Sequence, residues 1–413
     1  MYQEIKQCRI CGNKELVPVL NLGTQVLTGV FPRNKNQQIS SGPLELVRCV
    51  GDKNRTCGLV QLKHSFDLAE MYSDNYGYRS GLNNSMVKHL DGIANNILNI
   101  ASLKKGDLII DIGSNDSTLL QAYGDKGYNL VGIDPTGNKF KKYYPPHINL
   151  VPDFFSNDIV VRYFGNQKAK IVTSIAMFYD LDSPVDFARQ VSDILSDDGI
   201  WVLEQSYLPA MIEKNAYDTV CHEHLEYYSL RQIKWICDKV SLKIIDAEEN
   251  NVNGGSFLII LAKSNSSYTP KERNILKVMN REKHLEDEKI YQDFEYNVFD
   301  HREKLIEFIH KRNKKKQLIL GYGASTKGNV ILQFCNFTVE NIPYIAEINE
   351  DKFGSFTPGT CIPIVSEKEA KAMNPAFLLV LPWHFRDSII YREKGYLNSG
   401  GKLLFPLPLI EVI

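Results

Sequence analysis

Ile109-Ile110-Asp111-Ile112-Gly113-Ser114-Asn115-Asp116 decides how this chain is read. An apolar run ends on a carboxylate and a glycine, and Thr118-Leu119-Leu120-Gln121-Ala122-Tyr123 then takes up a helical pattern. Strand, glycine turn and helix in that order mark the carboxyl edge of a parallel sheet, where glycine lets the backbone approach a ligand closely. Before the motif, Met86, Leu90, Ile93, Ile97 and Leu98 recur with helical period. After it come apolar runs ending at Ile133, Ser174 and Glu204, each separated by helix-like sequence. Lys243-Ile244-Ile245-Asp246 and Ser256-Phe257-Leu258-Ile259-Ile260-Leu261 supply two closing strands. Alternation of this kind predicts a doubly wound α/β sheet.

The motif also indicates what the edge binds. Gly113 is expected beneath the methionine part of a cofactor, with Asp111 near its ammonium group. Gly132-Ile133-Asp134 ends the next strand on a carboxylate suited to ribose hydroxyls. A dinucleotide needs a glycine-rich anion cradle, which Gly113-Ser114-Asn115-Asp116-Ser117 is not; Asn115 and Asp116 suit the positive sulfonium and ammonium of S-adenosylmethionine. Asp153 and Phe154 after the third strand are candidates for the adenine, and Ser174 follows the fourth. The plain alternative is that Gly113 makes a tight turn and Asp134 caps a helix.

Around this centre the chain divides into three. Residues 1–75 are rich in turns and short strands and form too small a unit to fill a core unaided; residues 76–268 form the central Rossmann-like domain; residues 269–413 form connecting helices and a second Rossmann-like α/β domain. The connecting segment, about 270 to 316, is charged and helical in period, and strands ending at Gly321, Glu347 and Leu381 follow. Cys8-x2-Cys11, with Cys49 and Cys57 in a second loop, fits a closed tetrahedral structural Zn2+ site that would staple the small unit. Unligated buried cysteines are the alternative. Tyr72, Tyr76, Tyr78 and Arg79 follow, dense enough for a substrate wall or for packing between units.

Tyr217-Asp218-Thr219-Val220-Cys221-His222-Glu223-His224 lies beyond the strand ending at Glu204, hence at the cofactor's edge of the sheet. A carboxylate beside an imidazole fixes its tautomer and raises its basicity, so His224 with Glu223 is the candidate general base. Metal chelation by His222 and His224, and a purely structural role, stay open.

A formal net charge of −1 gives no general attraction for nucleic acid, and the dense basic run Lys311–Lys316 reads as a solvated helix end. The first residues lack the apolar core of a signal peptide, and about 18 consecutive apolar residues occur nowhere. A cytoplasmic protein without a membrane partner is expected, as monomer or homodimer.

The cysteine knuckle, Asp111–Asp116, the His222-Glu223-His224 loop and Gly321-Tyr322-Gly323-Ala324-Ser325-Thr326-Lys327-Gly328-Asn329 together resemble the three-domain S-adenosylmethionine-dependent C-methyltransferases of nucleotide-linked deoxysugars. The resemblance implies an N-terminal zinc-binding module, a central class I methyltransferase domain and a C-terminal domain that helps hold a nucleotide-linked sugar. It implies deprotonation of a 4-keto sugar at carbon 3 and methylation of the enolate, with His224 carrying the proton and Tyr76, His222 and Tyr217 as donors. Relatives can offer a histidine where this chain has Ala176-Met177-Phe178-Tyr179, Cys221 stands where a tyrosine is expected, and Ser117 replaces a glycine. Gly323 and Lys327 after a strand make a diphosphate seat, and Glu347 could meet a ribose. O-methylation, a non-sugar acceptor and a non-catalytic nucleotide-sugar-binding regulator are the competing readings.

Overall fold

The computed structural model describes residues 2–52, 54–66, 71 and 78–413. Tyr72, Tyr76 and the expected first domain boundary lie outside the described residues. The described residues form three larger sheets and a two-stranded ribbon joining Tyr2–Glu4 to His64–Phe66.

The central sheet follows from the apolar runs around Asp111. Its order is Leu242–Asn250, Ser256–Lys263, Leu195–Ser206, Ala169–Ile175, Leu108–Ile112, Asn129–Ile133 and Ile148–Val151. All its pairings are parallel except those of Ser256–Lys263, which runs against both neighbours. Helices cover both faces, so a strand such as Leu108–Ile112 is buried along its whole length and reads as continuous rather than alternating hydrophobicity. The strand order reverses between Leu108–Ile112 and Ala169–Ile175. Chain therefore leaves that point in opposite directions and opens a crevice at the carboxyl edge.

The C-terminal sheet repeats the design. Its order is Ile364–Ser366, Ile345–Glu347, Ile319–Tyr322, Phe377–Val380, Lys402–Phe405 and Glu411–Val412, parallel but for the last strand. Two pairs of hydrogen bonds coincide. Gly113 N donates to Ile133 O and Gly323 N to Ala346 O, both at 2.8 Å. Asn115 N donates to Asp134 and Ala324 N to Glu347, again both at 2.8 Å. In each sheet an acid ending the second strand holds the turn after the first.

The N-terminal sheet is not closed by its own residues. Its order is Leu16–Val26, Ser41–Cys49, Val60–Leu62 and Glu226–Tyr227, so the edge strand comes from the central part of the chain. It also leans on the C-terminal sheet: Gln333 bonds both N and O of Val26, and Asn329 donates to Thr28 O at 2.7 Å. One apolar cluster runs from Leu20 and Leu46 through the 27-residue helix Glu288–Lys314 into Ile319 and Phe377. The basic run Lys311–Lys316 lies at that helix's C-terminal end, where cations oppose the helix dipole favourably. Among the described residues no helix is long and apolar enough to cross a membrane.

Leu305 is fully buried in this shared cluster. Leu305→Ala is expected to cost about 2–5 kcal/mol of unfolding free energy, read as a lowered denaturation midpoint; an unchanged midpoint would show that the long helix is not part of the core.

Candidate active site

The four N-terminal cysteines form a tight group. Their sulfurs lie within 4.8 Å of one another, with Cys8 to Cys57 and Cys11 to Cys49 at 3.4 Å. A Zn–S bond of about 2.3 Å implies sulfur separations of roughly 3.8 Å in a tetrahedron, so the group fits a closed four-thiolate zinc site. Gly12, at φ 73°, closes the knuckle with Gly12 N donating to Cys8 O.

At the carboxyl edge of the central sheet lies a cleft of about 1260 Å³, its open mouth included. Asp111, Gly113, Asn115, Asp134, Phe154, Met177 and Asp180 are among the residues that line it. Gly113 has φ 75°, which favours glycine, and a Cβ there would sit tightly at 3.1 Å from the Met177 side chain. Burial pushes the Asp111 carboxyl up to about 7, against the pull of a 2.6 Å hydrogen bond from Thr173 Oγ1. Asp134 accepts from Asn115 N, Thr136 N and Thr136 Oγ1. A carboxylate accepts about four donors, which leaves capacity for one ribose hydroxyl where two were expected.

Two residues expected at the cofactor, Ser174 and Asp116, are engaged elsewhere. Ser174 is fully buried and accepts from Trp201 Nε1 at 3.1 Å, because successive strand residues point to opposite faces and Thr173 takes the side of Asp111. Asp153, exposed at the rim next to cleft-lining Phe154, accepts from Phe154 N. Asp116 turns away to accept from Gly81 N at 2.9 Å, while Asn115 accepts from Ser80 N and donates to Tyr78 O. Asn115 and Asp116 thus tie the segment 78–81 across one end of the cleft. Tyr78 lines the cleft; the Arg79 guanidinium sits 4.3 Å from the centre of the Tyr143 ring.

Glu204 was missed. It lines the cleft at the end of Leu195–Ser206, with His89 Nε2 and Asn250 Nδ2 each 2.7 Å from its oxygens. Its position as the last carboxylate of a predicted strand was the available signal. The partners are 115 and 46 residues away in sequence, beyond pattern reading.

The loop after the fifth strand places His224 against the Tyr179 ring, 4.3 Å between centres. His224 Nδ1 lies 2.8 Å from Thr219 O. A carbonyl only accepts, so Nδ1 carries the proton and Nε2 presents a lone pair. Burial, with the positive charge of Lys327 second, depresses the imidazole to about 3 and keeps it neutral. Glu223 does not orient it: that carboxyl is buried beside Gly29, is pushed up to about 7 by desolvation and is approached by Cys221 Sγ at 3.9 Å. The backbone carbonyl fixes the tautomer, as the carboxylate was expected to, but does not raise the basicity of the ring. His222 points away into the N-terminal sheet, 3.3 Å from Gly42 O and edge-on to Phe66. Tyr217 is fully buried and donates to His301 Nδ1 at 3.2 Å on the C-terminal side. Neither is a donor beside His224, and Tyr76 lies outside the described residues.

At the expected diphosphate seat, several amides of the turn already have partners. Ala324 N is bound by Glu347 Oε2, Gly323 N by Ala346 O and Gly328 N by Ser325 Oγ. Glu347 further accepts from Ile348 N and Asn349 N. Three amides of the turn and the Glu347 carboxylate are thus engaged, and Lys352 Nζ donates to Ala324 O at 2.7 Å beside them. Lys327 reaches out of the turn to Asn253 O at 2.9 Å.

Sheet order, glycine turn and acid-lined cleft define a class I S-adenosylmethionine-dependent methyltransferase. Three family models match in chain order: a zinc binding domain over residues 8–72, a methyltransferase domain over 86–247 and a C-methyltransferase C-terminal domain over 251–408. The chain belongs to the three-domain S-adenosylmethionine-dependent C-methyltransferases with an N-terminal zinc-binding domain. C-methyltransferase NovU of Streptomyces niveus is 26% identical over 414 residues, spanning 99% of this chain and 97% of that one. Similar solved structures include a complex of the Haloferax volcanii Trm112 methyltransferase activator with a methyltransferase, at TM-score 0.35, 13% identity, 44% of this chain and 94% of that one. The CcbJ methyltransferase of Streptomyces caelestis shows TM-score 0.34, 11% identity, 43% of this chain and 90% of that one.

The zinc module grips the His224 loop. Leu62 N donates to Leu225 O at 2.8 Å, and Gln232, in the capping box that starts helix Leu230–Lys239, donates to Cys57 O at 2.7 Å. Chelating the metal is therefore expected to speed amide hydrogen exchange across residues 225–232 while Leu108–Ile112 stays protected. Unchanged exchange in the loop would show that the module does not hold it.

Proposed function

We propose that this methyltransferase acts on a carbon, carbon 3, of a nucleotide-linked 4-keto-deoxysugar through an enolate formed by His224. The observation that carries the reading is the hydrogen bond from His224 Nδ1 to Thr219 O, which leaves a neutral imidazole with its Nε2 lone pair available. A proton next to a ketone is acidic enough for such a base when the oxygen is stabilised as it gains charge. The C-methyltransferase assignment favours carbon over oxygen as acceptor, and sets aside a non-catalytic regulator.

S-adenosylmethionine supplies an electrophilic methyl group on its sulfonium. In this reading Asp111 receives the ammonium, Gly113 lets the methionine chain lie on the backbone, Asp134 accepts a ribose hydroxyl and Phe154 covers the adenine. Asn115 and Asp116 position the segment 78–81, and with it Tyr78, at the mouth. Tyr76 remains proposed as a donor to the acceptor. The four cysteines hold the zinc that anchors the His224 loop. The three units are proposed to divide near residues 75 and 268, and a cytoplasmic location suits a nucleotide-linked substrate.

His224→Gln is expected to lower turnover by about 100- to 10,000-fold with affinity for S-adenosylhomocysteine unchanged. Substrate deuterated next to the carbonyl should give product that has lost a label at the methylated carbon; full retention, or an active His224→Gln enzyme, would rule the route out.

Asp111 gives a second test. Its carboxyl is neutral below about 7 and charged above, and only the charged form attracts an ammonium. Affinity for S-adenosylhomocysteine should therefore rise roughly tenfold between pH 6 and pH 8, measured by calorimetry, and Asp111→Asn should abolish the rise. A flat profile in the parent protein would remove Asp111 from this role.

A further inference from the structure

Three segments from distant parts of the sequence meet beside His224. Asp218 stands in the turn Tyr217–Thr219, whose last carbonyl fixes His224. Lys327 is the second residue of helix Thr326–Phe334, which packs on that turn, and its Nζ donates to the carbonyl of cleft-lining Asn253. Trp383 donates Nε1 to Asp218 Oδ2 at 2.7 Å, and its ring lies 3.2 Å from where a Cβ on Gly254 would be. His384 follows it. The cofactor cleft, the base and the C-terminal domain thus share one wall.

The hydrogen bonding of this wall is incomplete. Asp218 is 0% exposed; Trp383 and the backbone N–H groups of Asp218 and Thr219 approach its carboxylate, yet Oδ1 makes no hydrogen bond of good geometry, and neither does the buried Nδ1 of His384. Lys327 has three N–H donors and uses one among the described residues. Buried groups left in this state cost free energy, and they persist where a ligand completes them. A ligand that did so would bring an acceptor to the ammonium and a donor to the carboxylate. A keto sugar carries both, as a carbonyl and a hydroxyl on one ring.

We infer that Lys327 donates to the carbonyl oxygen of the acceptor and stabilises the charge this oxygen gains as His224 removes the neighbouring proton, while Asp218 accepts a ring hydroxyl. The inference rests on the enolate reading above and replaces the diphosphate role expected for Lys327. As the C–H bond breaks, its proton passes to His224 Nε2, its electron pair forms the C=C bond and the carbonyl π pair moves onto the oxygen facing Lys327. The same positive charge keeps His224 unprotonated beforehand, acting with burial. The titratable groups that share its field are Asp218, Cys221, His224 and His384.

The test separates enolate formation from methylation. The full-length protein with S-adenosylhomocysteine is mixed in D2O with thymidine-, guanosine- and cytidine-diphosphate-linked 4-keto-6-deoxysugars, and deuterium entry next to the ketone is followed by NMR. On the substrate the parent enzyme exchanges, Lys327→Gln should slow exchange at least about 100-fold while affinities for S-adenosylhomocysteine and the free nucleoside diphosphate stay unchanged. Lys327→Arg, which keeps the charge, should exchange faster than Lys327→Gln. Exchange at the parental rate in Lys327→Gln overturns the inference, as does a loss of nucleoside diphosphate affinity with exchange intact, which would restore the diphosphate seat. A parent enzyme that methylates one of these sugars without exchanging it, or does neither, overturns the enolate reading itself.

Discussion

The 2.8 Å hydrogen bond from His224 Nδ1 to the Thr219 carbonyl is the interaction on which the account depends. It selects one tautomer without placing a charge beside the imidazole. A carboxylate partner would raise the basicity of the ring, whereas a carbonyl leaves burial free to lower it. What keeps the bond in place is a loop held from three sides. Leu225 N donates to Tyr179 O of the central domain, Leu225 O accepts from Leu62 of the zinc module, and Asp218 accepts from Trp383 of the C-terminal domain. The three-part architecture is thus a means of fixing one short loop that has little regular structure of its own.

The two Rossmann-like sheets show how one framework serves two ends. Both bind the turn after the first strand to an acid at the end of the second. In the central sheet the turn borders the cleft, where Asp134 retains spare capacity and Gly113 presents no side chain. In the C-terminal sheet the same bonds recur, with two further amides on Glu347, and Lys327 reaches Asn253.

Much of this was legible in the sequence because it is local. Apolar runs, Gly113 after a strand, the Cys8-x2-Cys11 knuckle and the histidine-rich loop all lie within short windows, and each marks its element correctly. What was not legible depends on which side chain a neighbour from another domain reaches first. Glu223 stands next to His224 in sequence, but successive residues of a tight turn point apart, and the carbonyl at Thr219 is nearer. His222 and Tyr217 look like catalytic donors until the N-terminal sheet and His301 claim them. Ser174 was lost to the two-residue period of the strand, which gives the sheet face of Asp111 to Thr173. Asp116, expected at the cofactor, accepts from Gly81 N and anchors the segment that crosses the cleft.

The most direct test is the protonation state of His224, observed by nitrogen-15 NMR of histidine-labelled protein and assigned by the signal missing from His224→Gln. The account expects a neutral ring at pH 6 with the proton on Nδ1 and an unprotonated Nε2, since the group titrates only near 3. A ring protonated on Nε2 at that pH, whether as the other tautomer or as imidazolium, would contradict it.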